Sequence, residues 1–474
     1  MSSRLRLLSS VASVAIALLG CGASPGPAGA SAPSRPGGAG GAASSPPVVA
    51  AAPAIDPASM PRQRAVVLRA ARYFDGKADR AVDGGVTVVV ENGLITDLGS
   101  GSLKAPADAE TIDLGDATLL PGFIDAHTHV SFEMGESYYK DAYEGLLRFP
   151  AEQAHYAGSY ARKLLNAGFT TVRDLGSADQ IDVGLRNAIS KGLTDGPRML
   201  VAVHAIGSTG GHVDSHPFPS DRVIPAGIDD GVCNGADACR AAVRRMVKYG
   251  ADVIKIAASG GVLSLADAVD TAQLTPAELS AIVDEAHRLR KRVAAHCHGD
   301  TAAKQAIAAG VDSIEHASFL KPDTLALMKD KHVVLVPTLL ASDHAGRKIE
   351  TFPPAIQVKA RAAIAARSQM FKDALRAGVT IGFGTDSAVS PHGVNAQEFG
   401  LMTGLGMTAA QALRAATSVD AELLGIANET GSLEKGKLAD IVAVPGNPLV
   451  DIKLTERVTF VMRAGKVYKR ADAR

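Results

Sequence analysis

The chain has 474 residues, with four cysteines and no tryptophan. Lys plus Arg and Asp plus Glu both number 49, so the formal net charge is zero and there is no basic excess that would indicate nucleic acid as a partner. The glycine-rich segments contain neither the lysine of a P-loop nor a strand-to-helix dinucleotide fingerprint. Composition and charge thus argue against a nucleic-acid-binding or nucleotide-binding protein.

Residues 1–21 are typical of a bacterial export signal that ends in a lipobox. Arg4 and Arg6 precede an apolar run from Leu7 to Leu19, and Leu-Leu-Gly-Cys closes the segment at Cys21. The apolar run is too short to indicate a transmembrane span. We expect lipidation of Cys21 and an exported, lipid-anchored protein of the periplasm or cell envelope, with an ordinary cleaved signal as the alternative.

Residues 22–61 are almost entirely Ala, Gly, Pro and Ser, a composition that predicts a disordered tether. The rest of the chain is long enough for a barrel and a smaller domain. We predict that residues 62–119 and 428–474 together form a composite β-sandwich. Its strands are expected at 65–71, 86–90, 94–98, 431–444 and 458–467.

Residues 120–427 alternate strand-like apolar runs with helical segments. Residues 275–289 show helical periodicity behind the N-cap signal Thr275-Pro-Ala-Glu278. Eight strands alternating with helices predict a (β/α)8 TIM barrel, whose active site lies at the carboxyl ends of the strands. The first strand enters His127, and the others are expected at 170–175, 198–206, 252–256, 292–299, 313–316, 333–340 and 381–387.

The candidate site residues lie at the ends of these strands. His127 and His129 project to one side of the first strand, so both imidazoles can reach one metal ion. The further candidates are Lys255, His296, His298, His316 and Asp386. In the second His-x-His either histidine could be the ligand, whereas Cys297 between them should face the opposite side as a buried apolar residue.

Two segments between these strands contain further candidate residues. His212 follows a Gly-Ser-Thr-Gly-Gly segment just past the third strand, where it could hold a substrate carboxylate or a developing oxyanion, or else be an exposed loop histidine. Cys233 and Cys239 enclose five residues and could form a disulfide in an oxidising compartment. Two reduced, independently packed cysteines are the alternative.

The motif set HTH, VIKIAASGG, AAHCHG, IEHAS and GFGTDS resembles the amidohydrolase superfamily of metal-dependent hydrolases. The resemblance is to its imidazolonepropionase-like and binuclear dipeptidase branch, which includes prolidases, Xaa-Arg and Xaa-Lys dipeptidases and ochratoxin-type amidases. It covers nearly all of the chain beyond residue 62. The motifs are specific as a set, although none is specific alone.

The resemblance implies two divalent metal ions, with zinc expected. His127 and His129 would bind the more buried ion, and Lys255, carboxylated by CO2, would bridge both. The second ion would be bound by His296 and His316. Asp386 would contact the first ion and transfer protons, and His298 would remain nearby for contact with substrate or with a ligand.

These inferences together predict an exported binuclear amidohydrolase that hydrolyses a small dipeptide-like or N-acyl amino acid amide, with a homo-oligomer possible. Cyclic-amide hydrolysis, as in imidazolonepropionase, or deamination is the alternative within enzymes. Lys255 argues against it, because those enzyme types characteristically use one metal. A lipid-tethered, solute-binding pseudoenzyme is the non-enzyme alternative, and Asp386 argues against it because solute binding does not require a proton-transfer group.

Overall fold

A computed structural model describes residues 64–214 and 225–470. The predicted signal peptide at 1–21 and the predicted tether at 22–61 lie outside the described residues. None of the described helices is long and apolar enough to cross a membrane.

The described chain alternates strands and helices over most of its length. The strands are β1 (Val66–Tyr73), β2 (Val82–Glu91), β3 (Leu94–Ser100), β4 (Glu110–Asp113), β5 (Ala117–Pro121), β6 (Phe123–Thr128), β7 (Phe169–Asp174), β8 (Arg198–Val201), β9 (Ala205–Ile206), β10 (Val253–Ala257), β11 (Arg292–Cys297), β12 (Ser313–His316), β13 (Val334–Val336), β14 (Ile441–Pro445), β15 (Phe460–Arg463) and β16 (Lys466–Arg470). The helices are α1 (Tyr138–Leu147), α2 (Pro150–Asn166), α3 (Ile181–Ser190), α4 (Ala236–Lys248), α5 (Pro276–Arg288), α6 (Asp300–Ala309), α7 (Pro322–Asp330), α8 (Leu339–Arg347), α9 (Pro354–Ala377), α10 (Gln397–Gly404), α11 (Ala409–Arg414) and α12 (Asp420–Leu424).

Strands from both ends of the described chain form one eight-stranded sheet. Its order is β16-β15-β14-β5-β1-β2-β3, with β4 also paired to β1. The pairing of β5 with β14 is antiparallel and joins the amino-terminal and carboxyl-terminal parts. Apolar side chains of both parts, including Leu68, Ile441 and Phe460, pack into one buried cluster. The sheet therefore requires both segments.

The expected strand at 431–444 is wrong for its first part. Only Ile441–Pro445 forms a strand, whereas Gly431 and Gly436 adopt positive φ angles of 86° and 91° and turn the chain. The intervening segment still hydrogen-bonds to the sheet, because the amide of Ile95 donates to the carbonyl of Lys437 at 2.8 Å. Turn geometry replaces extended pairing here.

Eight parallel strand segments form the barrel. β6, β7 and β8 make one parallel sheet, and β9 to β13 make another. The two sheets join through residues 198–206, which count as one barrel strand: its first part, β8, pairs with β7, and its second part, β9, pairs with β10. On the opposite side the sheets join through residues 380–387. The Gly382 amide donates to the carbonyl of Leu335 at 2.9 Å, and the Ala126 amide donates to the carbonyl of Phe383 at 2.9 Å. The predicted (β/α)8 barrel is confirmed.

Local sequence signals predicted helix α5 correctly but did not predict where the seventh barrel strand ends. α5 begins after Thr275, whose hydroxyl accepts a bond from the amide of Glu278 while that carboxylate bonds back to the Thr275 amide, as the capping signal predicts. The predicted strand at 333–340 ends instead at Val336. Thr338 adopts a left-handed φ of 49°, and α8 begins at the next residue.

Candidate active site

The candidate residues of the first, fourth and eighth strands meet at one point of the barrel rim. The Nε2 atoms of His127 and His129 lie 3.5 Å and 3.4 Å from Oδ1 of Asp386. The amine Nζ of Lys255 lies 3.3 Å from Nε2 of His127. Because all parallel strands end at the same rim, residues far apart in sequence converge here.

The histidines of the fifth and sixth strands lie directly beside this point. The ring of His316 is centred 5.0 Å from that of His127, 4.6 Å from that of His296 and 5.0 Å from that of His298. Two groups could each hold a metal ion, namely His127, His316 and Asp386, and His296, His298 and His316. His316 belongs to both groups. His296 is only slightly nearer to His316 than His298 is, and both belong to the same group, so the second His-x-His stays ambiguous.

Each imidazole uses one ring nitrogen to bind the protein and directs the other toward the shared space. The bonds run from Nδ1 of His127 to Glu315 (2.8 Å), from Nδ1 of His129 to the carbonyl of Gly176 (2.9 Å), from Nδ1 of His298 to Ser318 (2.8 Å), from Nδ1 of His316 to Thr338 (2.6 Å) and from Nε2 of His296 to the carbonyl of Gly260 (3.2 Å). Metal-ligating histidines are oriented in this way in proteins. The donor set therefore fits divalent metal ions.

Sequence reasoning missed Glu315, which orients His127. Its Oε2 accepts from Nδ1 of His127 at 2.8 Å, and its Oε1 accepts from Arg173 at 2.9 Å and from Ser313 at 2.5 Å. Arg173 also donates to the carbonyl of Ala126 at 2.6 Å, beside His127. The available signal was an acid and an arginine inside otherwise apolar strands, at Ser-Ile-Glu-His and Thr-Val-Arg-Asp.

Backbone geometry holds two of the candidate ligands in place. His316 and Asp386 adopt left-handed φ angles of 71° and 54°, which are unfavourable for residues with side chains and concentrate at functional sites. Near Asp386, Gly384 leaves no room for a larger residue. A Cβ there would lie 2.9 Å from Cβ of His127 and 2.4 Å from a methyl group of Val336.

Burial controls the charge state of the cluster. It lowers the pKa of His127, His296 and His316 well below that of a free imidazole, so these rings are neutral and keep the lone pair that a metal requires. Burial also lowers the pKa of Lys255 to about 8, against the opposing charges of Glu315 and Asp386. It raises the pKa of Asp386 to about 6, although Lys255 opposes the shift.

His212 is partly buried rather than fully exposed, and its ring stacks on that of His296 with centroids 4.2 Å apart. Its Nδ1 lies 2.9 Å from the hydroxyl of Ser264, which donates to Asp267 at 2.5 Å. Because that hydroxyl proton is directed at Asp267, Nδ1 of His212 must be the donor, and in the neutral ring Nε2 keeps a lone pair. Gln273 fixes the backbone by accepting from the His212 amide at 2.8 Å.

The loop after the third strand contains a disulfide between Cys233 and Cys239. Cys239 lies in α4, and the backbone around Cys233 pairs with Gly207, because the Cys233 amide donates to the Gly207 carbonyl at 2.9 Å. The bond therefore ties the start of α4 to the loop that leads to His212. Cys297 is buried with a free thiol, as strand alternation predicted.

Comparisons with known proteins agree with this geometry. A model of the amidohydrolase family matches residues 118–468. An ochratoxinase of Aspergillus niger is 35% identical over 375 residues, which cover 74% of this chain and 75% of that protein. The crystal structure of a Xaa-Pro dipeptidase with bound methionine has a TM-score of 0.82 and 37% identity, covering 85% of this chain and all (100%) of that one. A prolidase complexed with N-methylphosphonate-L-proline has a TM-score of 0.77 and 30% identity, covering 86% and 100%. The chain belongs to the amidohydrolase family, as its motifs predicted, and is a hydrolase of C–N amide bonds.

Proposed function

We propose that the protein is an exported binuclear metal-dependent amidohydrolase that acts on small dipeptide-like or N-acyl amino acid amides. The observation that carries the proposal is the convergence of the imidazole nitrogens around Lys255 and Asp386. Relatives named as ochratoxinase, Xaa-Pro dipeptidase and prolidase support this class of substrate.

The position of Lys255 favours two metal ions over one. Its Nζ faces Nε2 of His127 at 3.3 Å, and its side chain is buried. An ammonium ion beside two dications would be strongly disfavoured. If the neutral amine adds to CO2 and releases a proton, the resulting carbamate would carry one negative charge shared by two oxygens, and these could serve as ligands together with His127, His296 and His316.

Two bound divalent ions, with zinc proposed, would supply Lewis acidity, which acidifies water and polarises the amide carbonyl. The residues of the chain then manage the proton. Asp386 lies beside both histidines of the first strand and can take a proton from the attacking water. It can return that proton to the departing nitrogen, because an amine leaves readily only when protonated. General acid–base help of this kind accelerates reactions by about 10² to 10⁴.

His212 and His298 are the proposed substrate contacts. With Nδ1 of His212 committed to Ser264, a neutral ring offers Nε2 as an acceptor. It therefore fits an N–H donor of the substrate, whereas holding a carboxylate would require a second proton on the ring. Nδ1 of His298 is likewise bound, to Ser318, and its ring stacks on that of His316.

A library of dipeptides and N-acyl amino acids, varied at both positions, tests the activity of the full-length protein loaded with zinc. We expect cleavage of a subset, together with close to two zinc ions per chain by elemental analysis. Full activity with one ion per chain would contradict the carbamate bridge. Cleavage of cyclic amides alone would favour the imidazolonepropionase-like alternative.

Export with a lipid anchor on Cys21 is proposed from residues 1–21 alone. Cys21→Ala should abolish fatty-acid labelling and release the protein from the membrane fraction. Turnover by the folded domain should stay unchanged, because no described residue lies near position 21 in sequence. Persistent labelling of the variant would contradict the lipobox assignment.

A further inference from the structure

Helix α1 presents a row of large apolar side chains to solvent. Tyr139, Tyr143 and Leu147 follow one another at intervals of four residues and therefore lie on one helix face. Their exposed fractions are 64%, 63% and 61%, and no residue of α1 is fully buried. Side chains of this size are usually covered when they stand in a row.

The row continues beyond the helix. Phe149 is 74% exposed and Tyr156 of α2 is 38% exposed. Arg148 connects the two helices, since its guanidinium lies 4.5 Å from the ring centre of Tyr156 and 3.7 Å from Glu144. We name the set Tyr139, Tyr143, Leu147, Phe149 and Tyr156 the aromatic row. It holds five of the nine large apolar side chains that are exposed in the described part of the chain.

The other side of α1 is attached to the barrel rim. The hydroxyl of Tyr138 donates to the carbonyl of Leu263 at 3.4 Å, and its ring lies 6.4 Å from that of Phe352. Lys348 donates to the carbonyl of Gly135 at 2.6 Å, just before the helix. The aromatic row is thus the outward face of an anchored helix and is not directed into the active site.

The size of the aromatic row matches half of a small protein interface. A tyrosine or phenylalanine side chain can bury about 150–250 Å², so five residues exposed to this extent offer on the order of 500 Å². Two such faces together reach roughly 1,000 Å², the lower bound for a specific interface. An apolar patch of about 500 Å² falls within the range of the largest patch on a typical monomer, about 300–600 Å², and such patches are often functional.

We infer that the aromatic row is the contact between two copies of this chain, related by a two-fold axis near Tyr143. In an antiparallel pairing, Tyr139 of one copy then lies opposite Leu147 of the other, so one face is complementary to itself. Lys140, Glu144 and Arg148 flank the row, and both cations pair with Glu144 at 3.7 Å. Neither these paired charges nor the zero net charge of the chain repels a second copy, and neither attracts an anionic membrane.

The pairing also has a defined relation to the active site. α1 begins ten residues after Thr128, the last residue of the strand that carries His127, and Tyr138 packs against the loop that follows β10. The contact therefore lies on the outer side of two loops that frame the site. A second copy would stiffen those loops without contributing a side chain to the reacting groups.

Sedimentation of the full-length chain carrying Cys21→Ala tests the inference, with Tyr143→Arg as the disrupting variant. Two arginines would face each other across the axis, and like charges placed opposite each other in an interface disfavour association. We expect a dimer at micromolar concentration and a dissociation constant raised at least 30-fold by Tyr143→Arg. Val450→Arg, at a site 86% exposed and outside the aromatic row, is the matched control and should leave the dimer intact.

Oxidative cross-linking supplies a second measurement that does not depend on disrupting the contact. In the Cys21→Ala background the remaining cysteines are either paired, at 233 and 239, or buried, at 297, so an introduced thiol reacts without interference. Tyr143→Cys should give a covalent dimer, whereas Val450→Cys should not. The inference would be overturned if the protein were a monomer at about 100 µM, or if its dimer were unaffected by Tyr143→Arg. It would also be overturned if the parent formed no dimer but bound neutral vesicles and Tyr143→Arg abolished that binding.

Discussion

Replacing Glu315 by glutamine should weaken metal binding by changing which nitrogen of His127 carries the proton. The carboxylate accepts three hydrogen bonds and donates none, with His127 on one oxygen and Arg173 and Ser313 on the other. An amide has one oxygen, so its NH2 group must face one of these donors. If it faces His127, the favoured tautomer carries its proton on Nε2, where the lone pair for the metal is needed.

The expected losses of unfolding free energy and of metal affinity follow from the burial of Glu315 and Arg173. The side chain of Glu315 is fully buried (0% exposed) and that of Arg173 is 2% exposed, so the variant leaves a buried guanidinium without its counter-charge. Breaking such a pair costs about 3–5 kcal/mol of unfolding free energy. Loss of an orienting partner typically lowers metal affinity by about 10- to 100-fold. The two effects are separable, because unfolding can be measured on metal-free protein.

The assay is competition for zinc against a fluorescent chelator, together with urea unfolding of the metal-free protein. Glu285→Gln is the matched control, since Glu285 also binds two arginines, Arg244 and Arg288. The Glu285 side chain is only 3% exposed, but both arginines are about 60% exposed (59% and 60%) and stay solvated without it, so the control should lose about 1 kcal/mol and keep its zinc affinity. Zinc affinity unchanged within twofold in Glu315→Gln would refute the orienting role.

Three further outcomes are expected. Lys255→Ala should lose metal and activity together, and short-chain carboxylic acids should partly restore both by taking the place of the carbamate; full activity in the variant would contradict the bridge. Asp386→Asn keeps one oxygen ligand but no proton acceptor, so it should retain most of its metal by elemental analysis while turnover falls by about 10² or more, and near-parent turnover would contradict the proton role. Although burial opposes it, hydrogen bonding by His392 lowers the pKa of Glu133 to about 2, so the stabilisation is complete above the ordinary pKa near 4.5 and is lost as pH falls toward 2. Urea unfolding of Glu133→Gln should therefore show a smaller loss of stability between pH 5 and pH 3 than the parent shows, and an equal loss would rule out this linkage.

The fold was predictable because its signals are local. Apolar runs of strand length that end in a polar residue, such as the one entering His127, mark both a barrel strand and a candidate site residue. The capping signal at Thr275 located α5 to within a residue at each end. The strand predicted at 333–340 failed because a single left-handed residue, Thr338, ended it, and a backbone angle of that kind has no signal in a non-glycine residue.

The support around the site was not predictable in the same way. Glu315 and Arg173 lie 142 positions apart in sequence and meet only when the barrel forms. The same holds for His212, whose partner Ser264, itself bonded to Asp267, comes from a loop after a different strand. Pairings across a closed ring of strands depend on register, which strand patterns do not encode. The choice between His296 and His298 likewise requires knowledge of where the metal lies.

The terminal sheet has a consequence for the order in which the chain can fold. β5 leads through the single residue Gly122 into β6, so the strand that carries His127 is covalently continuous with a strand that pairs with β14. During synthesis more than 300 residues must follow β5 before its partner at Ile441–Pro445 exists. Until then β5 can pair with β1 on one side, but its other edge stays open at the base of the barrel. Pairing of β5 with β14 is therefore a late step in the folding of the chain, and a chain truncated before β14 would be expected to aggregate through that open edge.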